Sequence, residues 1–197
     1  MRGSRSTRSS PTTSGTSITV GSLTRSAPSS NQSPGRRTAR TWRRNRRRLL
    51  RRVAELLRPG VDHLLLGTDL VKDPDVLEAA YDDGEGVTAE FNRNVLRVIN
   101  RELDADFDVD SFEHVALFDA EREWIEMRLR ALRTATVTIP ALGLEVSFAA
   151  GEEVRTEISA KFTRERLEGD YEAAGLLLTN WWTDSQGLFA LSLAASR

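Results

Sequence analysis

A run of short apolar segments in the second half of the chain limits the fold more than any other pattern in the sequence. Each segment is short, and turn-forming residues such as Gly143 separate it from the next. This spacing predicts the strands of an antiparallel meander. The predicted strands are Phe112–Phe118, Trp124–Leu132, Ala135–Ile139, Leu144–Phe148 and Val154–Lys161, followed after a helix at 163–174 by a hairpin of Leu176–Trp182 and Leu188–Leu193.

The sequence before this meander predicts a helix and a buried strand. Apolar residues at helical spacing over Leu49–Leu57 indicate a helix that starts at Arg46 and ends before Pro59-Gly60. His63–Gly67 is a short apolar run between turn residues, which favours a buried parallel strand. A helix followed by such a strand is the second half of a βαβ unit. We therefore expect an α/β protein with part of a doubly wound sheet at this point.

Two further helices are predicted between this strand and the meander. Asp73 is a suitable N-cap and Pro74 a suitable first residue for a short helix that runs through Ala80. Thr88 begins a longer helix. Its predicted inward stripe is Phe91, Val95, Val98, Ile99 and Leu103.

Charge is distributed very unevenly along the chain. Residues 1–60 hold 15 arginines and one acid, Glu55, whereas residues 61–197 hold 13 basic and 28 acidic residues. Ser, Thr, Pro, Gly and Arg dominate residues 1–45, so we expect a disordered tail, because such a segment buries too little apolar surface. The arginines over 36–52 are compatible with phosphate binding. Only Trp42 is interleaved with them, so a solvated helix face plus a tail is the preferred interpretation.

Composition also excludes several classes of site. The chain has no cysteine, which excludes disulfides, thiolate catalysis and Cys-ligated metals. His63 and His114 are far apart in sequence and have no clustered partners, so we expect no metal site. No apolar run approaches the roughly 20 residues of a membrane helix, and no secretory signal is visible. We therefore expect a cytoplasmic protein without a membrane segment.

Glu157 and Ser159 form the sharpest local constellation. They are residues i and i+2 of a predicted strand, so both side chains project from one face. A carboxylate accepts a hydrogen bond from one ring N–H of an imidazole, and a hydroxyl can accept from or donate to the other ring nitrogen. The pair therefore fits an imidazole as ligand. Spacing alone favours an ordinary polar pair on an exposed strand face.

Tyr81 ends the short helix just before an acidic, glycine-containing loop, Asp82–Gly86. A phenol hydroxyl at a helix end that faces a cleft is suited to binding a substrate carboxylate. The commoner arrangement of such a tyrosine places its ring on the core and its hydroxyl in water. The sequence pattern by itself leaves both arrangements open.

Several segments, in order along the chain, resemble the substrate-binding half of the bacterial histidine-specific, S-adenosylmethionine-dependent methyltransferases. The resemblance runs from about Arg46 to the C-terminus. The matching segments are Asp69–Asp83, Gly86–Asn94, Asn100–Leu103, Phe112–His114, Gly151–Glu153 and Thr156–Phe162.

This resemblance implies a fold and an activity. Arg46–Asp69 would be a remnant of a Rossmann-like class I methyltransferase sheet, and residues 70–197 an α+β histidine-recognition domain with an antiparallel sheet. Enzymes of the family trimethylate the α-amino group of L-histidine, with S-adenosylmethionine as cofactor, on the way to ergothioneine.

The resemblance also implies a set of substrate-binding residues. In the family, a Glu and a Ser of a Thr-Glu-x-Ser-x-Lys-Phe strand hold the substrate imidazole, and they correspond to Glu157 and Ser159. A family Tyr contacts the substrate carboxylate and corresponds to Tyr81. A family Met lines the same pocket and corresponds to Met127, for which an ordinary core position is an equal alternative.

The cofactor-binding motifs of the family do not occur in this sequence. An Asp-Leu-Gly-x-Gly loop and a Gly-Ser-x-x-Gly-Asn segment are expected before the helix at Arg46, and neither is present. We therefore assign no cofactor-binding or catalytic residue, and we expect this chain alone to have little or no activity. The 26 arginines and two lysines indicate a GC-rich gene. We hypothesise that residues 1–45 are the product of a shifted reading frame.

Two other classes of function stay open at this point. The first is a non-catalytic module that binds histidine, or one that works with a separate cofactor-binding half. The second is an arginine-rich protein that binds nucleic acid.

Overall fold

The structure is a computed structural model that describes residues 24–26 and 35–197, with side chains from residue 41 onward. The strands are β1 (Thr24–Ser26), β2 (His63–Asp69), β3 (Phe112–Asp119), β4 (Trp124–Ala131), β5 (Ala135–Ile139), β6 (Leu144–Phe148), β7 (Glu153–Ala160), β8 (Leu176–Thr183) and β9 (Phe189–Ser196). The helices are α1 (Gly35–Leu56), α2 (Pro74–Tyr81), α3 (Val87–Leu103) and α4 (Arg164–Glu172), with single 3-10 turns at Val109–Ser111 and Pro140–Leu142.

The strands form three sheets. A four-stranded sheet has the order β1-β7-β4-β3, a three-stranded sheet has the order β2-β9-β8, and β5 pairs with β6. Every pairing between these strands is antiparallel. The predicted strands between residues 112 and 193 and the predicted helix at 163–174 are confirmed, with small shifts at their ends. The predicted arrangement of the strands as one meander is wrong, because β4 pairs with β7 and the β5–β6 pair forms a sheet of its own.

One hydrophobic core joins α3 to the four-stranded sheet and to the β5–β6 pair. Leu96 of α3 packs there against Leu129 of β4, which is fully buried. The rings of Phe112 and Phe148 meet edge to face with centroids 5.4 Å apart, the arrangement that aromatic quadrupoles favour. This core fixes α3, and the loop that precedes it, against one face of the sheet.

A second core joins α1 and α4 to the three-stranded sheet. Its buried members are Leu50, Leu167, Tyr171, Ala174, Leu176 and Ala194. The β8–β9 hairpin therefore packs with β2 and α1. The hairpin belongs to the predicted histidine-recognition domain, whereas β2 belongs to the predicted methyltransferase remnant.

The prediction that β2 is a buried parallel strand is wrong. β2 pairs antiparallel with β9 over its whole length, and its residues alternate between exposed and partly buried positions up to Thr68, which is buried. Leu65, for example, is 59% exposed. The apolar run was misread because a continuous apolar stretch does not by itself distinguish a strand buried on both faces from an edge strand.

The predicted start of the first helix at Arg46 is also wrong. α1 begins at Gly35, so residues 35–45 of the predicted disordered tail are helical. Arginine has a high helix propensity, and no proline interrupts the segment from Gly35 to Leu56. Residues 24–26 of the same tail form β1. The rest of the predicted tail lies outside the described residues.

The inward face of α3 agrees with the predicted stripe at Ile99 and Leu103, which pack against the core, and differs from it elsewhere. Ala89, Asn92 and Leu96 are its buried residues, whereas Phe91 is 65% exposed. A polar asparagine on the buried face shifts the stripe away from the purely apolar pattern that the sequence suggested.

Candidate functional site

Helix α2 places Tyr81 against the sheet. The carboxylate of Asp73 accepts the backbone N–H of Asp75 at 2.9 Å, which caps the helix that Pro74 begins. Leu77 is almost completely buried, and it anchors the helix to the protein. Tyr81, the last residue of α2, therefore points its side chain at a fixed place on β7.

The loop after Tyr81 is held by Asp83. Its carboxylate accepts hydrogen bonds from the backbone N–H groups of Val87 at 3.0 Å and Thr88 at 2.7 Å, which satisfies the first turn of α3. Hydrogen bonds from Thr88 and Val87 lower the pKa of the Asp83 carboxyl to about 2. Gly86 before the helix has φ of 73°, a left-handed conformation that suits glycine.

The strand register brings three of the predicted site residues onto one face. Met127 of β4 lies opposite Glu157 of β7, and Ile125 lies opposite Ser159. Opposite residues in an antiparallel pair project from the same face. Ile158 lies opposite Glu126 and points to the other face.

Tyr81 and Ser159 are in direct contact. The Tyr81 hydroxyl donates a hydrogen bond of 2.8 Å to Ser159 Oγ, although the residues are 78 positions apart in sequence. Met127 is 3% exposed and Glu157 is exposed. The structure thus places the predicted Tyr81, Glu157, Ser159 and Met127 at one corner of the sheet.

Lys161 joins this corner to the end of β2. Its side chain is fully buried, and Nζ donates to Asp69 Oδ2 at 2.8 Å, to the Tyr81 hydroxyl oxygen at 2.9 Å and to Ser159 Oγ at 3.1 Å. Lys72 Nζ binds the other oxygen of Asp69 at 2.6 Å. We call Asp69, Lys72, Lys161, Tyr81 and Ser159, together with the neighbouring Glu157, the open network.

The two lysines keep Asp69 ionised. Burial raises the pKa of the Asp69 carboxyl, but the hydrogen bonds and positive charges of Lys161 and Lys72 outweigh burial and hold this pKa below its ordinary value. Buried charges require partners of this kind, because an unpaired charge away from water is very costly.

A second chain of hydrogen bonds supports Tyr81 from behind. His114 Nε2 lies 2.7 Å from the Tyr81 carbonyl oxygen, and His114 Nδ1 lies 2.9 Å from Asn92 Nδ2. The Asn92 amide also donates to the Arg128 carbonyl at 3.0 Å and accepts from Thr156 Oγ1 at 2.5 Å. Because the amide nitrogen of Asn92 donates to Nδ1, the ring proton of His114 lies on Nε2 and is donated to the carbonyl.

Glu157 differs from the other members of the open network. Within the part of the chain that the structure describes, its carboxylate has no hydrogen-bond or ion-pair partner. A carboxylate accepts hydrogen bonds and cannot donate them when ionised. The corner therefore presents a free anionic acceptor two residues from a hydroxyl, beside the buried side chain of Met127.

The opposite face of β4 and β7 carries charges that satisfy one another. Glu126, 3% exposed, accepts from Arg128, from Arg155 at 2.9 Å and from the indole N–H of Trp124 at 2.9 Å. Glu153 binds Arg128 at 2.6 Å and Arg130 at 2.7 Å. We call this group, Glu126, Glu153, Arg128, Arg130 and Arg155, the closed network.

Sequence reasoning missed Lys161, Asp69, Asn92 and His114 as parts of this corner. Lys161 and Asn92 both lie inside matching segments of the family resemblance, but nothing in their spacing indicates burial. One signal was present in the composition. The chain has two lysines beside 26 arginines, and both lysines bind the same carboxylate.

Two cavities lie away from this corner. One, of 380 Å³, separates α1 from the closed-network face of the sheet. The other, of 350 Å³, is apolar, lies between α3, the β5–β6 pair and the sheet, and has Thr156 as its one hydroxyl group. The candidate site is instead a partly open corner of the sheet. It is identified by the polar and charged groups of the open network and not by an enclosed volume.

S-adenosylmethionine, the cofactor that the family resemblance implies, carries a sulfonium cation, and the 380 Å³ cleft does not fit that charge. Four guanidinium groups line the cleft, from Arg43, Arg46, Arg122 and Arg166, against the single carboxylate of Glu121. Asp69, the carboxylate at the end of β2, is already occupied by two lysines. Neither of these two places therefore suits the sulfonium group.

The described residues also bear on two other classes of function. Residues 41–197 contain no group of three or more His, Cys, Asp or Glu side chains arranged to hold a metal ion. Within the described ranges, no helix is both long and apolar enough to cross a membrane. Arg46 and Arg47, which the sequence analysis placed on a solvated helix face, bind Asp170 instead.

Comparison with known proteins gives a consistent result. A family model described as histidine-specific methyltransferase, SAM-dependent, matches residues 21–196, so it extends the resemblance to before Arg46. Histidine N-alpha-methyltransferases of Mycolicibacterium smegmatis and Mycobacterium tuberculosis are 58% and 57% identical over 149 and 150 residues. Each alignment covers 76% of this chain and 46% of the relative.

A solved structure of an S-adenosylmethionine-dependent methyltransferase from Clostridium acetobutylicum covers 76% of this chain and 50% of its own, with a TM-score of 0.36 and 9% identity. The chain spans about half the length of the curated relatives that it matches.

Proposed function

This chain belongs to the family of histidine-specific, SAM-dependent methyltransferases, and from that membership we propose that its open network is a binding site for L-histidine. The reaction served would be methylation of the α-amino group, and trimethylation would lead towards ergothioneine. Because the chain spans 46% of its relatives, the proposal concerns substrate recognition by this part of the protein.

The arrangement of Glu157 and Ser159 carries the proposal. They lie on the same face of β7, and Glu157 is an exposed carboxylate without a partner among the described residues. An imidazole placed across the pair gives one ring N–H to the carboxylate and meets the hydroxyl with its other nitrogen. Met127, buried beside Glu157 on the neighbouring strand, would form the apolar floor under the ring.

We assign the substrate carboxylate to Tyr81. Its hydroxyl lies 2.8 Å from Ser159 Oγ, so a ligand whose ring reaches Ser159 brings its backbone atoms near the phenol. Lys161 Nζ, 2.9 Å from the phenol oxygen, adds a positive charge on the same side. Binding both ends of histidine in this way fixes the direction in which its α-amino group points.

Recognition of this kind accounts for selectivity and for part of catalysis. A site built to hydrogen-bond an imidazole leaves the Glu157 carboxylate without a donor when an apolar side chain covers it instead, and that loss disfavours other amino acids. When bound, S-adenosylmethionine supplies an electrophilic methyl group. The residues of this chain then contribute by holding the amine in a fixed position, and such positioning lowers the barrier substantially.

Titration calorimetry with the purified 197-residue chain tests the proposal. We expect L-histidine to bind at least 10-fold more tightly than L-phenylalanine, and Ser159→Ala to remove most of that preference. Glu145→Gln is a control substitution, because Glu145 is an exposed residue on a strand outside the corner. Equal affinity for the two amino acids, or equal loss in both variants, would refute the site. We expect the chain by itself to turn over little or no histidine with S-adenosylmethionine.

A further inference from the structure

The chain has only two lysines, and their positions indicate a specific role. The two lysines both bind Asp69, but only Lys161 continues to Tyr81 and Ser159. An ammonium group directs three donors to three separate acceptors, whereas the five donors of arginine lie in one rigid plane. Lys161 thus makes a three-way junction that the guanidinium groups used elsewhere in the chain cannot reproduce.

Only one hydrogen bond at this junction, the one between the two hydroxyl groups, can reverse its donor and acceptor. Lys161 donates to both hydroxyl oxygens, so one lone pair on Tyr81 and one on Ser159 are already occupied. The remaining contact is the 2.8 Å bond between the hydroxyls, which Tyr81 donates to Ser159. Ser159 Oγ then accepts two hydrogen bonds, and its own proton is left to be donated outward.

We propose that Tyr81, Ser159 and Lys161 form a hydrogen-bond relay that couples recognition of the ligand carboxylate to recognition of the ligand ring, with Lys161 as the positioning residue. The inference rests on the proposed function, because it assumes an imidazole ligand across Glu157 and Ser159. It goes further in one respect: binding of the ligand carboxylate changes the hydrogen bond that Ser159 makes to the ligand ring.

The coupling follows from the single proton of Tyr81. When a ligand carboxylate is present, the phenol donates to it and no longer to Ser159. Ser159 can then donate to the phenol oxygen, which leaves its second lone pair free to accept a ring N–H. The hydroxyls rotate and no proton changes its owner. Chains of hydrogen bonds that run in one direction reinforce one another, which favours this arrangement.

The relay predicts different ring states for two ligands. With histidine, Ser159 and the Glu157 carboxylate both accept, so both ring nitrogens carry a proton, and the ring takes up the second proton from solution on binding. With histamine, which has no carboxylate, Tyr81 keeps donating to Ser159, and Ser159 donates to an unprotonated ring nitrogen. The other charged groups near the ring, Lys161 with Asp69 and Lys72 behind it, are the same in both complexes. The ligand carboxylate does differ between the complexes, and its negative charge by itself favours a protonated ring. The Tyr81→Phe variant separates this charge from the relay, because it keeps the ligand carboxylate and removes the phenol proton.

Nitrogen-15 NMR of ring-labelled ligands bound to the 197-residue chain measures these states directly. The measurement is made about one pH unit above the ordinary imidazole pKa of about 6.5. We expect two N–H ring nitrogens in bound histidine and one in bound histamine. An unprotonated ring nitrogen in bound histidine would overturn the relay. Absence of any bound histidine would instead refute the proposed function, and the relay with it.

Three variants separate the relay from a merely structural role of the buried lysine. Tyr81→Phe removes the proton that carries the coupling, and we expect the two ligands to show the same ring state in it. Lys161→Met is expected to remove the difference as well. Lys72→Met, which also takes a lysine from Asp69 but leaves both hydroxyls untouched, is expected to keep it. If Lys161→Met does not fold, Tyr81→Phe decides: a ligand difference that persists there overturns the proposal.

Discussion

The two faces of strands β4 and β7 carry charged networks of similar composition and different completeness. In the closed network, together with Glu113 at its rim, three arginines face three glutamates, and each carboxylate is bound by at least one guanidinium. In the open network, two lysines face two carboxylates, but both lysines bind Asp69 and Glu157 is left over. A balanced sum of charges therefore does not distinguish a structural network from a binding site. An acceptor without a partner does.

The difference also appears in burial. Glu126 at the centre of the closed network is 3% exposed, whereas Glu157 on the other face is exposed. Buried carboxylates contribute to stability only while their partners remain, and exposed ones without partners contribute little. Removal of a glutamate from the closed network should accordingly lower the free energy of unfolding, whereas removal of Glu157 should weaken ligand binding.

The largest expected effect is on the closed face. Glu126→Ala should lower the free energy of unfolding by about 3–5 kcal/mol, because it leaves Arg155 and the indole N–H of Trp124 without their buried acceptor. Urea unfolding followed by circular dichroism measures this change. The matched control is Glu145→Ala, an exposed strand glutamate that should change the same quantity by less than about 0.5 kcal/mol. Equal effects of the two substitutions would contradict the comparison.

The next effect is on the open face, and it concerns ligand binding instead of stability. Glu157→Gln should weaken histidine binding by about 10- to 100-fold, since a charge-assisted hydrogen bond contributes about 1.5–3 kcal/mol. Its free energy of unfolding should change by less than about 0.5 kcal/mol, because the carboxylate has no partner among residues 41–197. Calorimetry and urea unfolding of the same sample test both statements. A large loss of stability would place Glu157 among the structural charges.

The sequence predicted part of the open network but not the contacts that complete it. The i and i+2 spacing of Glu157 and Ser159 was enough to put them on one face, and the register with β4 agrees. The contact of Tyr81 with Ser159 spans 78 residues. The family resemblance assigned both residues to one substrate pocket, but it did not predict the contact. Local periodicity predicts the face of a strand on which a residue lies, but it does not predict which distant residues contact that face.

The remaining errors have the same physical origin. Lys161 resembles an ordinary strand-end lysine in sequence, and its burial depends on Asp69, 92 positions away. The direction of β2 depends on pairing with β9, near the end of the chain. Both are long-range facts. The strands between residues 112 and 148, whose pairing is mostly local, were predicted almost to the residue.

A smaller effect should follow from acid. Burial raises the pKa of Glu126 and of Glu153, but hydrogen bonds and charge from their arginines outweigh it and hold both pKa values below the ordinary one. Groups with a lowered folded-state pKa stabilise the protein above the unfolded-state pKa, about 4.3, and lose that contribution as the pH falls through the folded-state pKa. The stability gap between wild type and Glu126→Gln should therefore narrow below about pH 4. Urea midpoints at pH 7 and pH 3 measure it, and a constant gap would contradict the assignment.

The smallest expected effect lies at the rim of the closed network, and it shows where closure stops contributing to stability. Glu113 binds Arg130 at 3.0 Å, but both side chains are about 40% exposed. Exposed pairs contribute about 0.2–1 kcal/mol at most, because water screens them and holding two long side chains costs entropy. Glu113→Gln should therefore change the free energy of unfolding by no more than about 1 kcal/mol, even though Glu113 belongs to the same chain of charges as Glu126. Urea unfolding in low and in high salt tests this, with the small effect expected to vanish in high salt. A loss comparable to that of Glu126→Ala would mean that the network acts as one unit, and that burial is not what separates its centre from its rim.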